Sequence, residues 1–191
     1  IFMLLSQMSR FIEKLVRFVI YRGRFLYGLV GLCAIVLGLY LSHNISRIDM
    51  SQDILANAEL VTLDGSKTKF ADWQSEKLLI VNFWATWCSP CILEIPVLIA
   101  IQREYFSNVQ ILGIALDKPE SVRVFASKNK FNYPLAVGVE NGLRLSKLLG
   151  DESGMLPVTI FLTSGTEVVH THIGPLTKEK LDYLIKKHIK I

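Results

Sequence analysis

Cysteine is scarce in this chain of 191 residues, which has only three. Two of them, Cys88 and Cys91, form a CxxC pair, and the sequence has no second CxxC. A structural zinc site needs a further pair of cysteines or histidines at comparable spacing, so zinc binding is the weaker interpretation. We favour a redox-active dithiol that forms and breaks a disulfide between these two residues.

Charged residues are absent from another part of the chain. Between Arg24 and Arg47 lie 22 residues without lysine, arginine, aspartate or glutamate. A helix rises about 1.5 Å per residue, so this length matches the roughly 30 Å hydrocarbon core of a bilayer. The pattern predicts one transmembrane helix over residues 25–46.

Acidic residues are nearly absent before the end of this span. Residues 1–48 carry six basic residues and one acid, whereas the remainder carries 15 basic and 16 acidic residues. An excess of lysine and arginine before the span predicts a cytoplasmic N-terminus and an extracytoplasmic remainder. The basic excess therefore indicates topology, and we predict no nucleic-acid partner.

These features divide the chain into four predicted segments. We expect a cytoplasmic basic amphipathic segment over 1–24, the transmembrane anchor over 25–46, a polar tether over 47–57 and a folded domain over 58–191. A cleaved signal peptide is the alternative, because Ala56-Asn57-Ala58 matches an A-x-A cleavage pattern. That pattern lies 15 residues beyond Leu41, where the apolar run ends, which favours the anchor.

Apolar runs and turn residues predict the elements of the folded domain. The predicted strands span 59–63, 67–70, 78–83, 109–116, 135–137, 158–162 and 167–173, and the predicted helices span 89–105, 119–129, 141–149 and 177–190. Asp64-Gly65 and Ser164-Gly165 are typical of hairpin turns. This order predicts an α/β domain whose mixed central sheet is covered by helices on both faces.

The CxxC pair lies where a buried strand gives way to a helix. A cysteine at a helix start faces unpaired backbone N–H groups and the positive end of the helix dipole, which favour its thiolate. We therefore predict Cys88 as the nucleophile. One helical turn of about 3.6 residues places Cys91 nearly beneath it, as a resolving thiol, and Trp87 can shield one side of the pair.

The sequence from Val81 to Pro96, VNFWATWCSPCILEIP, resembles the active-site stretch of the TlpA/ResA/CcmG group of membrane-anchored thioredoxin-like proteins. The similarity continues through residues 133–135, 156–159 and 172–176. It implies a thioredoxin fold over 58–191, preceded by one N-terminal transmembrane helix. It also implies a single-pass protein of the bacterial inner membrane with a periplasmic catalytic domain.

The resemblance assigns roles to three more residues. It implies that Pro157 is a cis-proline beside the disulfide and that the backbone of Leu156 pairs with an extended substrate segment. The sequence alone leaves the cis or trans state open, and a proline at a strand start is the alternative. Because Asn82 stands where thioredoxins carry a buried aspartate, the resemblance implies that Glu94 exchanges a proton with Cys91. A solvent-exposed carboxylate on the helix surface is the alternative for Glu94.

The resemblance also implies a function. We expect a thiol:disulfide oxidoreductase that reduces disulfides in client proteins, such as apocytochrome c or copper-site assembly proteins. Its reductant would be a membrane electron donor of the DsbD/CcdA kind, with no dissociable cofactor and no metal. A disulfide-forming oxidase and a copper-binding or client-binding module are the alternatives. We predict His170, His172 and His188 as surface residues.

Overall fold

The computed structural model describes Lys14 and residues 30–42, 53–163 and 167–189. The chain divides into two compact units, residues 1–50 and 51–191. In the first unit, residues 30–42 are helical. Among the residues described, no helix is both long enough and apolar enough to cross a membrane. The predicted segment over 1–24 lies almost wholly outside these residues, and the predicted span over 25–46 lies partly outside them, so both stay predictions.

Among its described residues, the second unit contains seven strands, four α-helices and a further helical turn over 53–56. The strands are β1 (Glu59–Thr62), β2 (Lys67–Lys69), β3 (Leu78–Trp84), β4 (Val109–Ala115), β5 (Leu135–Val137), β6 (Val158–Leu162) and β7 (Val168–Ile173). The helices are α1 (Ser89–Glu104), α2 (Pro119–Lys128), α3 (Val139–Leu148) and α4 (Lys178–His188), and a short 3-10 helix spans Phe70–Trp73. The strands form one mixed sheet in the order β2-β1-β5-β4-β3-β6-β7.

Strand β3 occupies the interior of this sheet. It pairs in parallel with β4 and antiparallel with β6, and all seven of its residues are buried. A strand covered on both faces needs apolar side chains on both, which explains its nearly continuous apolar sequence. The chain leaves β3 at its carboxyl end and enters the CxxC turn. The cysteines therefore follow the end of a strand that is paired on both sides.

Alternate residues of β3 contribute to two apolar cores, one on each face of the sheet. Ile80 and Trp84 belong to the core that includes Leu98 of α1 and Leu184 of α4. The intervening residues, such as Val81, face the core that includes Phe70 of the 3-10 helix and Leu145 of α3. This alternation follows from the two-residue period of a strand. The predicted mixed sheet with helices on both faces is confirmed.

Most predicted elements are found within one or two residues of their expected ends. Strands β5 and β6 have the predicted bounds, and α1 continues through Pro96 to Glu104. Helix α3 begins two residues earlier than expected, because Gly138, with φ at +139°, allows the chain to turn directly from β5 into the helix. A side chain at Gly142 would collide with Leu116, so glycine permits the close approach of α3 to the sheet.

The predicted tether over 47–57 overlaps the second compact unit. Residues 53–56 are helical, and Leu55 is buried in the core beside Ala58. The Asn57 side chain donates a hydrogen bond to the Asp53 carbonyl, which steadies this turn. Packed structure therefore begins a few residues before position 58. The predicted Ser164-Gly165 turn lies outside the described residues.

Candidate active site

Cys88 and Cys91 are joined by a disulfide at the N-terminus of α1, with their Cα atoms 5.3 Å apart. Cys88 is the N-cap of the helix, and the Cys91 N–H donates a hydrogen bond to its sulfur at 3.3 Å. The same N–H can stabilise a negative charge on Cys88 after the disulfide opens. Cys88 retains 5% exposure, whereas Cys91 is completely buried. An external sulfur can therefore reach Cys88 more easily than Cys91.

The turn before Cys88 is held by Asp117, which lies two residues after the end of β4. Its carboxylate accepts hydrogen bonds from both the backbone N–H and the hydroxyl of Thr86. Burial alone would raise the pKa of Asp117, but the hydrogen bonds from Thr86 and Lys118 lower it on balance. Asp117 was not among the site residues predicted from the sequence. Its position just after a strand could have pointed to it, because β3 and β4 pair in parallel and their carboxyl ends lie at the same edge of the sheet.

Glu94 lies inside the domain, one helical turn after Cys91. Its side chain is only 2% exposed, so the solvent-exposed alternative is wrong. Oε1 accepts a hydrogen bond from Asn82 Nδ2 at 2.6 Å, and Oε2 accepts one from the Leu176 N–H at 3.0 Å. Burial raises the pKa of Glu94 to about 7, although these two hydrogen bonds act in the opposite direction. The carboxyl group is thus half ionised near neutral pH.

Asn82 connects Glu94 to a second buried polar residue. Its Nδ2 also donates to Thr159 Oγ1 at 3.0 Å, and neither side chain is more than 1% exposed. The register of β3 and β6 places Asn82 directly opposite Thr159. Burial raises the pKa of the Tyr133 phenol, and the charge of Glu94 raises it further. Thr159 and Tyr133 had no predicted role, because their proximity to Glu94 depends on how the strands pair and not on local sequence.

A mostly apolar groove of about 560 Å³ borders Cys88. Its lining comprises Trp87, Cys88, Ser89, Pro90, Leu116, Val139, Leu143, Gly154 and Leu156. Trp87 is 69% exposed, while Leu156 is half-buried. The peptide bond between Leu156 and Pro157 is cis, as the resemblance implies. The fold therefore gathers Trp87, Leu156 and the more accessible cysteine around one groove.

The prediction of three surface histidines is corrected by the structure. His170, His172 and His188 are all half-buried. Helix α4 ends beside β7, so the His188 ring stacks on that of His170 at 6.3 Å. The ring of His172 also stacks on that of His170, at 6.4 Å. Burial, followed by the charges of these two neighbours, lowers the pKa of His170. Within 30–42, 53–163 and 167–189, no three His, Cys, Asp or Glu side chains are placed to hold a metal ion.

The model of the AhpC/TSA protein family matches residues 52–171 of this chain. The chain belongs to the AhpC/TSA family. It is similar to the thioredoxin-like protein YneN of Bacillus subtilis, with 30% identity over 64% of this chain and 71% of the relative. It is also similar to the thiol-disulfide oxidoreductase ResA of Bacillus cereus, with 31% identity over 69% of this chain and 74% of the relative.

A solved structure supports the same assignment. The thiol:disulfide interchange protein of Chlorobium tepidum, a thioredoxin family protein, matches with a TM-score of 0.59 and 27% identity, over 68% of this chain and 90% of that one. These relatives confirm the thioredoxin fold and the thioredoxin-like family that the CxxC stretch indicated. This family member is a thiol-disulfide oxidoreductase with the Cys88–Cys91 disulfide at its centre.

Proposed function

We propose that this oxidoreductase works as a reductase, transferring two electrons from its dithiol to disulfides in client proteins. The observation that carries this proposal is the unequal setting of the two sulfurs. Cys88 borders an open apolar groove, whereas Cys91 is sealed inside with a carboxyl group whose pKa is raised to about 7. One sulfur is placed to meet a client, and the other is placed to finish the exchange.

The reaction begins with the reduced protein. The Cys88 thiolate attacks one sulfur of the client disulfide, forms a mixed disulfide and releases the other client sulfur as a thiolate, which takes a proton from water. The Cys91 thiol then gives its proton to the Glu94 carboxylate, and its sulfur attacks Cys88. The Cys88–Cys91 disulfide forms, and the second client thiolate is released.

Glu94 suits this proton transfer because its pKa is close to the working pH. A base near neutrality is ionised often enough to accept a proton and basic enough to take one from a thiol. An ordinary surface glutamate, with a pKa near 4.5, would be a much weaker base. Burial at the helix–sheet interface therefore supports the role that the resemblance implies for Glu94.

The groove supports a role in holding the client. An extended client segment beside Leu156 can form main-chain hydrogen bonds, while an apolar side chain next to its cysteine enters the groove near Trp87. Val139 and Leu143 of α3 supply apolar surface on the opposite side. We assign Trp87 and Leu156 to client binding on this basis. Pro157 follows Leu156 directly, and we assign it to the same task because the resemblance implies it.

The location of the protein is part of the proposal. The charge-free stretch over 25–46 and the basic residues before it support a single-pass anchor in a bacterial inner membrane, with a cytoplasmic segment over 1–24. The predicted tether over 47–57, shortened by the packing of Leu55 into the domain core, would then present the domain to the periplasm. Each turnover leaves the dithiol oxidised, so we propose a membrane electron donor of the DsbD/CcdA kind. Apocytochrome c and copper-site assembly proteins are the proposed clients.

The reduction potential of Cys88–Cys91 tests the direction of electron flow. The full-length chain in detergent is equilibrated with glutathione buffers, and its free thiols are trapped and counted. A potential near or below about −230 mV, in the range of glutaredoxins and thioredoxin, supports a reductase. A potential near about −120 mV, as in strong oxidants, would assign the protein to disulfide formation instead. Stoichiometric copper binding by the reduced chain would favour a metal-binding module.

A further inference from the structure

Among the residues that the structure describes, both groups that hydrogen-bond to the Glu94 carboxyl group are N–H donors. Asn82 Nδ2 donates to Oε1, and the Leu176 N–H donates to Oε2. This set suits an ionised carboxylate, which only accepts hydrogen bonds. A protonated carboxyl group carries an O–H, which needs an acceptor when it is buried. Reaction with Cys91 would therefore leave a new O–H facing two donors.

Only one of these two partners can change its role. The Leu176 backbone N–H is fixed as a donor. The side-chain amide of Asn82 carries an NH2 group and a carbonyl oxygen of nearly equal size, and a rotation of about 180° about its last torsion exchanges them. Asn82 can thus offer Glu94 either a donor or an acceptor from the same place.

Thr159 can follow such a rotation. Its hydroxyl now accepts a hydrogen bond from Asn82 Nδ2 at 3.0 Å. A hydroxyl both donates and accepts, so it can turn its proton toward the Asn82 oxygen after the rotation. Thr159 lies opposite Asn82 in the β3–β6 ladder and is completely buried, so water does not substitute for it.

We propose that Asn82 and Thr159 form a proton-coupled amide switch for Glu94. With Glu94 ionised, Asn82 Nδ2 donates to both Glu94 and Thr159. When Glu94 accepts a proton, the amide rotates, and its oxygen accepts hydrogen bonds from both the Glu94 O–H and the Thr159 hydroxyl. Asn82 and Thr159 are positioning residues, and the inference rests on the proposed function of Glu94 as the proton acceptor.

The switch explains why residue 82 carries an amide. An aspartate there would place a second buried charge against Glu94, and an apolar residue would leave the carboxylate with a single partner. Among the described residues, we consider Cys91, one helical turn before Glu94, and Tyr133, whose pKa responds to the charge of Glu94. Cys91 is held in the disulfide and does not titrate, and the pKa of Tyr133 is raised above its usual value. A titration of this site near neutral pH in the oxidised protein therefore belongs to Glu94.

Nuclear magnetic resonance on the oxidised full-length chain in detergent tests the switch without any substitution. At about pH 9 we expect a contact between the Asn82 side-chain NH2 protons and Thr159. We expect this contact to be lost at about pH 5, with the same pH midpoint as the titration of the Glu94 carboxyl-carbon chemical shift. If Glu94 titrates while this contact stays constant, the switch is refuted and proton transfer by Glu94 is not. If Glu94 does not titrate between these values, both ideas fail.

Two variants of Thr159 provide a kinetic test. Thr159→Val keeps the shape but removes the hydroxyl, which leaves an Asn82 N–H unpaired only when Glu94 is ionised. The pKa of Glu94 should rise, and the pH midpoint of the Cys91 attack should move up by about half a unit to one unit. Thr159→Ser keeps the hydroxyl and should retain the original midpoint. Equal midpoints in the original chain and in both variants would overturn the switch.

Discussion

The surroundings of the two active-site sulfurs differ in almost every physical respect. On the Cys88 side lies an open, mostly apolar groove with Trp87 69% exposed at its edge. On the Cys91 side lies a buried polar cluster in which Glu94, Asn82 and Thr159 are hydrogen-bonded to one another or to the backbone. In the proposed function, client recognition belongs to the surroundings of Cys88 and proton transfer to those of Cys91.

This separation follows from what each task requires. A client can bind only to surface that it can reach, and covering exposed apolar side chains contributes favourable binding free energy because it removes them from water. A proton acceptor near pH 7 requires a carboxyl group shielded from water, because solvation would return its pKa to the ordinary range. The comparison therefore predicts that changes on one side leave the other side largely intact.

The largest expected effect comes from the sulfur of Cys88, because it takes part in both steps of the proposed reaction. Cys88→Ser removes the nucleophile, so reduction of insulin disulfides with dithiothreitol as electron source should fall to background. Cys33→Ser is the matched control, since Cys33 is the free cysteine among the described residues and lies in the helical stretch 30–42. Near-normal activity of Cys88→Ser would contradict both the proposed reductase and an oxidase.

Glu94→Gln disables the buried side alone. The variant keeps the size of the side chain but cannot accept the Cys91 proton, so release of a mixed disulfide should slow by about 100-fold at pH 8. The rate in the original chain should rise with pH through about 7, the pKa of Glu94, and the variant should lack this step. Rapid mixing with a chromogenic mixed disulfide measures both, and identical pH profiles would rule out the role.

The same carboxyl group should make stability depend on pH. The pKa of Glu94 is about 7 in the folded protein and about 4.5 in an unfolded chain, so the folded state binds the proton more tightly. The free energy of unfolding should therefore fall as pH rises from about 4.5 to 7, by about 3 kcal/mol in total. Denaturant titrations of the oxidised chain should show this fall, and Glu94→Gln should lack it. An equal fall in the variant would assign the effect to other groups.

The smallest effect is expected on the groove side. Leu143→Ala removes apolar surface from the groove, and we expect KM for an apolar client peptide to rise about three- to tenfold with kcat unchanged. Val124→Ala is the control, because Val124 is an exposed residue of α2 outside the groove. Steady-state kinetics with a disulfide peptide decide the point. A lower kcat for Leu143→Ala would mean that the two sides are not separate.

Local sequence patterns were sufficient to predict the element order, the CxxC helix and the apolar strand before it. They depend on neighbours within a few residues, and such spacing is visible in the sequence itself. The resemblance added the cis Leu156–Pro157 bond, which the structure contains. It also singled out Glu94, whose burial follows from α1 packing on the sheet.

The features that were missed all depend on distant contacts. Thr159 lies 77 residues from Asn82, and Asp117 lies 31 residues from Thr86. Such pairs form only when strand order and register are known, which a single sequence does not reveal. The histidines were misjudged for the same reason, since α4 brings His188 over β7.

The hydrogen bond from the Leu176 N–H to Glu94 joins positions 82 residues apart. The helix carrying both cysteines is synthesised long before residue 176, but its carboxyl group gains this partner only after β7 and the following turn have docked. A ribosome-bound or truncated chain therefore has its sulfurs before it has a finished proton acceptor. Full exchange activity therefore requires that the chain has folded at least through residue 176. Activity can serve as a measure of whether this last part of the domain has docked.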